Sequence, residues 1–136
     1  MFTKVDHIGI AVTALDDILK FYQDALGLHL HEIEEVPEQK VRVAMFPVGE
    51  TNLEFLEPTA PDSPVAKFIE KKGQGIHHIA IGVEDIDRVL AELKARGARL
   101  INETPVIGAG GKRIAFVHPA STAGILLELS QAPLPR

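Results

Sequence analysis

Cysteine is absent from the 136 residues, and so is tryptophan. The first absence excludes disulfides and thiolate chemistry but does not establish the compartment. Basic residues are outnumbered, 14 Lys and Arg against 19 Asp and Glu, for a formal charge of −5. No Lys/Arg cluster marks a nucleic-acid footprint, and none is expected as a partner. No apolar run is long enough to span a membrane, although 46% of the chain is hydrophobic and can fill a normal core. The N-terminus enters strand-like sequence almost at once, so no signal or transit peptide is expected. A soluble, cytoplasmic protein is the default expectation. The length suits one compact domain, or two very small modules sharing a core.

What the chain does contain is a repetition. Val5–Val12 reads V-D-H-I-G-I-A-V, and 75–83 reads G-I-H-H-I-A-I-G-V. Aligning His7 with His78 sets an offset of 71 residues. Each copy leads into a helical pattern that ends at a glycine, then into further strand-like segments. Such a repeat decides the fold before any single motif does.

Taken in order, Val5–Val12 is a strand with Val5, His7, Gly9 and Ala11 on one face and Ile8, Ile10 and Val12 on the other. Thr13 is the expected N-cap of the next helix, with Asp16 as a first-turn acid. Leu15, Ile18, Leu19, Tyr22 and Leu26 keep helical spacing up to Gly27. Strands are expected over 29–35, 40–47 and 51–57, the first two separated by a turn at Pro37-Glu38-Gln39. Pro58 to Pro64 is the boundary between the halves, and Ser63-Pro64 opens a short helix that runs to Gly73. The second copy then has its strand over 76–83, a helix through Ile86, Val89, Leu90 and Leu93 to Gly97, and strands over 99–104, 114–118 and 124–130. Ala132–Arg136 reads as a frayed tail.

The expected fold is therefore α+β: one domain over 1–136, made of two βαβββ modules at about 3–58 and 74–131, joined by a short helical linker at 59–73. The sheets are expected to be mainly antiparallel and the modules related by a pseudo-two-fold. Large aliphatic faces cover the helices, which leaves faces lined by His, Glu, Gly and Ala to form a concave cleft.

Glu54 in T-N-L-E-F-L and Glu128 in I-L-L-E-L-S each occupy the last strand of a half, at an offset of 74. With His7 and His78 they form a doubled imidazole–carboxylate set on the small-residue faces, a mixed N/O set suited to a divalent first-row metal. Four such ligands leave two positions of an octahedral ion open. A lone strand histidine is most simply a hydrogen-bonded core residue; repetition in both halves, and carboxylates among leucines, favour the metal reading. His77 falls on the opposite face from His78 and is given a structural role. His29, His31 and the acidic run Glu32, Glu34, Glu35 read as solvated. Gly108–Gly111 lacks a P-loop or Rossmann pattern. With Lys112 and Arg113 beside it, this loop (Gly110 and Gly111 above all) can receive an anion, and His118 is a candidate substrate contact.

The doubled module with its V-D-H-I-G-I-A-V opening resembles the vicinal oxygen chelate superfamily. Finer matches point, within it, to the methylmalonyl-CoA epimerase family: D-S-P-V-A-K-F at 62–68, G-I-H-H-I-A at 75–80, G-A-G-G-K-R-I-A-F-V-H-P at 108–119 and G-I-L-L-E-L at 124–129. The resemblance spans almost the whole chain. It implies a metal-dependent isomerase of propionyl-CoA metabolism that interconverts (2R)- and (2S)-methylmalonyl-CoA, acting as a homodimer with Co2+, or with Mn2+, Ni2+ or Zn2+. It carries the ligand role onto His7, His78 and Glu128, with Glu54 where some relatives have glutamine. Proton abstraction at C2 leaves an enolate and needs an acid or base on each face. Glu128 is the candidate for one. Val43 stands where some relatives have an acid, so the second is Glu54, Glu38 or a water. The alternatives are another metal-dependent member of the superfamily, such as a glyoxalase-like isomerase (a lyase), or a metal-free resistance protein that binds a small molecule.

Overall fold

A computed structural model describes residues 1–133. Leu134–Arg136, the end of the expected frayed tail, lie outside the described residues. Two compact units emerge, residues 7–77 and residues 1–6 with 78 onward. The boundary falls between the paired histidines His77 and His78.

In the unit of residues 7–77 the strands are β1 (Phe2–Ala11, of which His7–Ala11 lie here), β2 (Glu32–Val36), β3 (Val41–Val48) and β4 (Thr51–Pro58), ordered β2-β3-β4-β1. β2–β3 and β3–β4 are antiparallel, whereas β1 runs parallel to β4 with Gly9 opposite Glu54. In the other unit β5 (Gly75–Val83), β8 (Leu127–Gln131), β7 (Arg113–Val117) and β6 (Val106–Ile107) follow in that order. Again the first strand is parallel to the last, with Ala80 opposite Glu128, and the others are antiparallel. The two βαβββ plans are the same, as the repeat predicts. Residues 1–6 belong with β5: the Met1 carbonyl accepts from the Glu84 amide at 3.0 Å.

One face of each sheet is closed by a helix. Val83, Ala115, Val117 and Leu129 pack with Ile86, Val89 and Leu90 of α3 (Ile86–Ala95). Ala44, Phe46 and Phe55 pack with Val12 and Leu15 at the start of α1 (Leu15–Leu19). α1 does not continue as a regular helix to Gly27. It widens into a π turn over Lys20–Ala25, where the Leu26 amide reaches the Phe21 carbonyl at 2.7 Å. From that turn the Tyr22 ring meets Phe55 at a centroid separation of 4.6 Å. Leu28 and Leu30 then finish covering this core, so β2 begins at Glu32 rather than at 29.

Helix boundaries follow simple chemistry. α2 (Pro64–Lys72) starts as expected, with Ser63 Oγ accepting from the Val65 amide at 3.2 Å and proline in the first turn. α3 is capped by Asp85, whose Oδ1 accepts from Arg88 N at 3.2 Å. α1 corrects the sequence reading. Thr13 is not its N-cap, because the Thr13 amide and hydroxyl both donate to Gln74 Oε1, at 2.8 and 3.1 Å. The acceptor comes instead from the last strand of the unit, where Glu57 Oε2 takes the Leu15 amide at 2.8 Å. α3 repeats this device: Gln131 Oε1 accepts from the Ile86 amide at 2.8 Å.

The strand expected at 99–104 is also corrected. Only a bridge between Leu100 and Val117 forms there. Asn102 Oδ1 accepts from the Phe116 amide at 2.8 Å, so a side chain takes the ladder position, and Pro105 supplies no N–H to extend one.

Removing the cross-element cap should cost stability. Glu57→Ala is expected to lower the unfolding free energy by about 1 kcal/mol, and more than Gln131→Ala does, because Glu57 Oε1 also receives Arg42 Nη1 at 3.0 Å. Urea denaturation of the two variants measures the difference; equal losses would show that the Arg42 contact contributes nothing.

Candidate metal and acid–base site

Strand alternation fixes which side chains avoid the helices. Leu53 and Phe55 pack toward α1, so Glu54 between them points to the other face, together with His7. Leu127 and Leu129 pack toward α3, and Glu128 points away with His78. Small residues flank the imidazoles on these faces, Gly9 and Ala11 after His7, Ala80 and Gly82 after His78. Each glutamate sits in register with the residue two positions after its histidine, which is the physical content of the sequence repeat.

All four side chains are buried, with relative exposures of 5% for His7, 4% for Glu54, 6% for His78 and 4% for Glu128. His7 Nδ1 lies 3.3 Å from Glu54 Oε2, and His78 Nε2 lies 3.2 Å from Glu128 Oε1. Each unit thus places an imidazole nitrogen and a carboxylate oxygen side by side, and nitrogen with carboxylate oxygen is a donor set for a divalent first-row cation. The Phe116 ring, in register with Glu128, meets His78 edge-on at 5.7 Å and holds the imidazole plane.

A family model for the Glyoxalase/Bleomycin resistance protein/Dioxygenase superfamily matches residues 6–116. The chain belongs to this superfamily. An uncharacterized protein of Bacillus subtilis, YqjC, is 47% identical over 128 residues, covering 94% of this chain and 91% of that protein. The ethylmalonyl-CoA/methylmalonyl-CoA epimerase of Cereibacter sphaeroides is 38% identical over 133 residues, covering 96% of this chain and 99% of that one. A solved methylmalonyl-CoA epimerase in complex with methylmalonyl-CoA and ammonium has a TM-score of 0.92 at 39% identity, over 97% of this chain and 96% of its own. The glyoxalase-superfamily fold and the epimerase resemblance read from the sequence are thus both met.

Within this superfamily fold the remaining candidates take distinct places. His77 lies apart from His78, its ring edge-on to Phe68 of α2 at 5.0 Å. Gly110 and Gly111 both adopt left-handed backbone, φ +71° and +72°, in the short turn before β7. Lys112 Nζ is 2.8 Å from Asp6 Oδ2. Arg113 forms a two-pronged contact with Asp87, at 2.9 and 3.0 Å, which raises its already high pKa. His118 caps the 3₁₀ turn at Pro119–Ser121, with Nδ1 accepting from the Ala120 amide at 2.9 Å. Val43 is 2% exposed and in register with Leu56, an apolar position, while Glu38 is exposed in the turn Pro37–Gln39.

Asp6 is the residue that the sequence reading passed over. It lies inside V-D-H-I-G-I-A-V, where a carboxylate among apolar residues was the available signal, and it is only 8% exposed. Ser130, two residues after Glu128, is 2% exposed, and its hydroxyl has no hydrogen-bond partner among the described residues. A buried polar atom of this kind costs about 1–3 kcal/mol. Ser130→Ala is accordingly expected to leave stability unchanged or to raise it by up to about 1 kcal/mol, read from the denaturation midpoint. A loss above about 1 kcal/mol would mean that the hydroxyl has a partner.

Proposed function

We propose that this chain is a methylmalonyl-CoA epimerase, interconverting the (2R) and (2S) forms by removal and return of the C2 proton. The observation that carries the reading is the pair of buried imidazole–carboxylate contacts, 3.3 and 3.2 Å, at equivalent positions of the two units. Their purpose is otherwise hard to find, because burying carboxylates among leucines is costly without a counter-charge. Full-length likeness to proteins named as epimerases supports the same reading.

In this proposal His7, Glu54, His78 and Glu128 hold one divalent ion, for which cobalt is the first candidate. When bound, such an ion supplies Lewis acidity toward the thioester carbonyl and the acyl carboxylate, where charge gathers as the C2 proton leaves.

The chain's own groups move the proton. The Glu128 carboxylate accepts it from C2, the C–H electron pair passes toward the thioester carbonyl, and a proton delivered to the opposite face completes inversion. No oxidant, reductant or second substrate is consumed. Burial of Glu128 beside His78 keeps water from competing for that proton. For the opposite face Val43 has no proton to give and Glu38 is exposed on its turn. Glu54, buried beside His7, is the second acid/base in this reading.

The reading brings with it a homodimer, a cytoplasmic setting and a place in propionyl-CoA metabolism, all three resting on the family resemblance. Among the described residues no helix is long and apolar enough to cross a membrane.

Exchange at C2 tests the reaction directly. Incubated in heavy water with cobalt supplied, the protein is expected to incorporate deuterium at C2 of methylmalonyl-CoA; no incorporation above background would overturn the proposal. Glu128→Ala should reduce turnover by at least about a hundredfold, while His77→Ala should keep divalent-ion uptake within about twofold of the parent protein. Equal metal loss in the two variants would refute the assignment of faces. Elemental analysis of protein purified without chelator provides the third check, and a chain that takes up no divalent ion would rule out metal assistance.

A further inference from the structure

Within the unit of residues 1–6 and 78 onward, the imidazole beside Glu128 is itself braced. The Phe116 ring stands edge-on to His78 at a centroid separation of 5.7 Å, with the two planes at 90°. Phe116 lies on β7 in register with Glu128 of β8, so ring and carboxylate share one face. His78 thus has an aromatic ring as one neighbour and Glu128 Oε1, 3.2 Å from its Nε2, as another.

What holds Phe116 from the sheet edge is not a regular strand. β6 pairs only with Ile114 and Arg113 of β7. The Phe116 carbonyl accepts from the Ile101 amide at 2.9 Å, and its own amide donates to the side-chain Oδ1 of half-buried Asn102 at 2.8 Å. Both backbone groups therefore point away from β8, and Phe116 with Glu128 is an antiparallel pair that exchanges no backbone bonds. Such pairs are the narrow ones, with Cα atoms about 4.5 Å apart and side chains at their closest.

The repeat supplies an internal comparison. In the unit of residues 7–77 the residue in register with Glu54 is Met45, a flexible thioether in place of the ring. Its carbonyl accepts from the His31 amide at 2.8 Å, and its strand is paired on both sides, by β2 and β4. An aromatic brace held by a side-chain amide belongs to one unit and not to the other.

We infer that Asn102 is a positioning residue for the metal site: it fixes the Phe116 backbone, and through the Phe116 ring it sets how His78 is presented to a divalent ion. This rests on the metal-assisted epimerase reading and deepens it. The His78–Glu128 pair is the preorganised one, and the His7–Glu54 pair, with Met45 beside it, is the adaptable one.

Two measurements test this, the first without any ion. In metal-free protein the carbon-bound protons of the His78 ring report, by NMR, its placement against Phe116. Asn102→Ala is expected to shift them in the direction that Phe116→Leu does. Asn102→Asp, which keeps an oxygen acceptor for the Phe116 amide and guards against a folding defect, should restore them. The second measurement is cobalt titration against a competing chelator. Asn102→Ala and Phe116→Leu should each weaken cobalt binding about three- to tenfold and alter the visible absorption of the bound ion. Asn102→Asp and Phe116→Tyr should stay within about twofold of the parent protein, and so should Met45→Leu. The double variant should be no weaker than Phe116→Leu alone, because Asn102 acts through the ring.

Unmoved His78 resonances in Asn102→Ala, unchanged cobalt affinity in that variant, additive losses in the double variant, or an equal loss in Met45→Leu would each overturn the inference. The epimerase reading fails separately: parent protein that binds cobalt without C2 exchange, and loses affinity in Asn102→Ala, would keep the positioning role and discard the reaction. Parent protein that takes up no ion would overturn the positioning role and metal assistance together.

Discussion

A carboxylate kept out of water next to an imidazole is the interaction on which the rest of the structure depends. Glu54 and Glu128 cannot be placed among leucines and phenylalanines unless something offsets their charge. The βαβββ unit meets that requirement by running its first and last strands side by side and parallel, so that a histidine and a glutamate from distant parts of the chain share one face. The neighbouring positions on the first strand are glycine or alanine. The opposite face is free to be apolar because its helix covers it. Division of labour between the two faces of one sheet is thus what lets so small a chain combine a dry core with a polar site.

The same division explains how neighbouring residues acquire different fates. His77 and His78 differ by one position and by one face: the first packs edge-on to Phe68, the second approaches Glu128. Lys112 and Arg113 are parted in the same way, one toward Asp6 and one toward Asp87. A one-residue slip in either strand would exchange these roles wholesale, so strand register is a chemical constraint here as much as a structural one.

Much of this was legible in the sequence because period-two alternation and an internal repeat are local patterns. They located β1 and β5, the four buried His and Glu residues, the Ser63-Pro64 helix start and the stops at Gly27 and Gly97. What escaped were decisions made across the chain. Thr13 looked like a cap until Gln74 claimed its hydroxyl; the real acceptors, Glu57 and Gln131, are 42 and 45 residues away from the amides they serve. The segment after Gly97 has strand-like composition, yet Asn102 meets Phe116 through its side chain and no extended ladder follows. Asp6 was visible inside its motif, but nothing local identifies a partner 106 residues on.

Those remote caps bear on how each unit comes into being. Leu15 and Ile86 emerge from the ribosome well before Glu57 and Gln131, so the first amide of each helix must wait for the last strand of its unit before it is satisfied. α1 is only five residues long before the π turn and is marginal by itself in water. Closure of the unit and completion of the helix are therefore one event, and the segment made first is among the last to be secured. Chain length between cap and capped residue sets the loop that must close, which puts assembly of each module in the hands of non-local contacts. A nascent module cut short before its final strand would lack the helix end, the parallel pairing and the glutamate all at once.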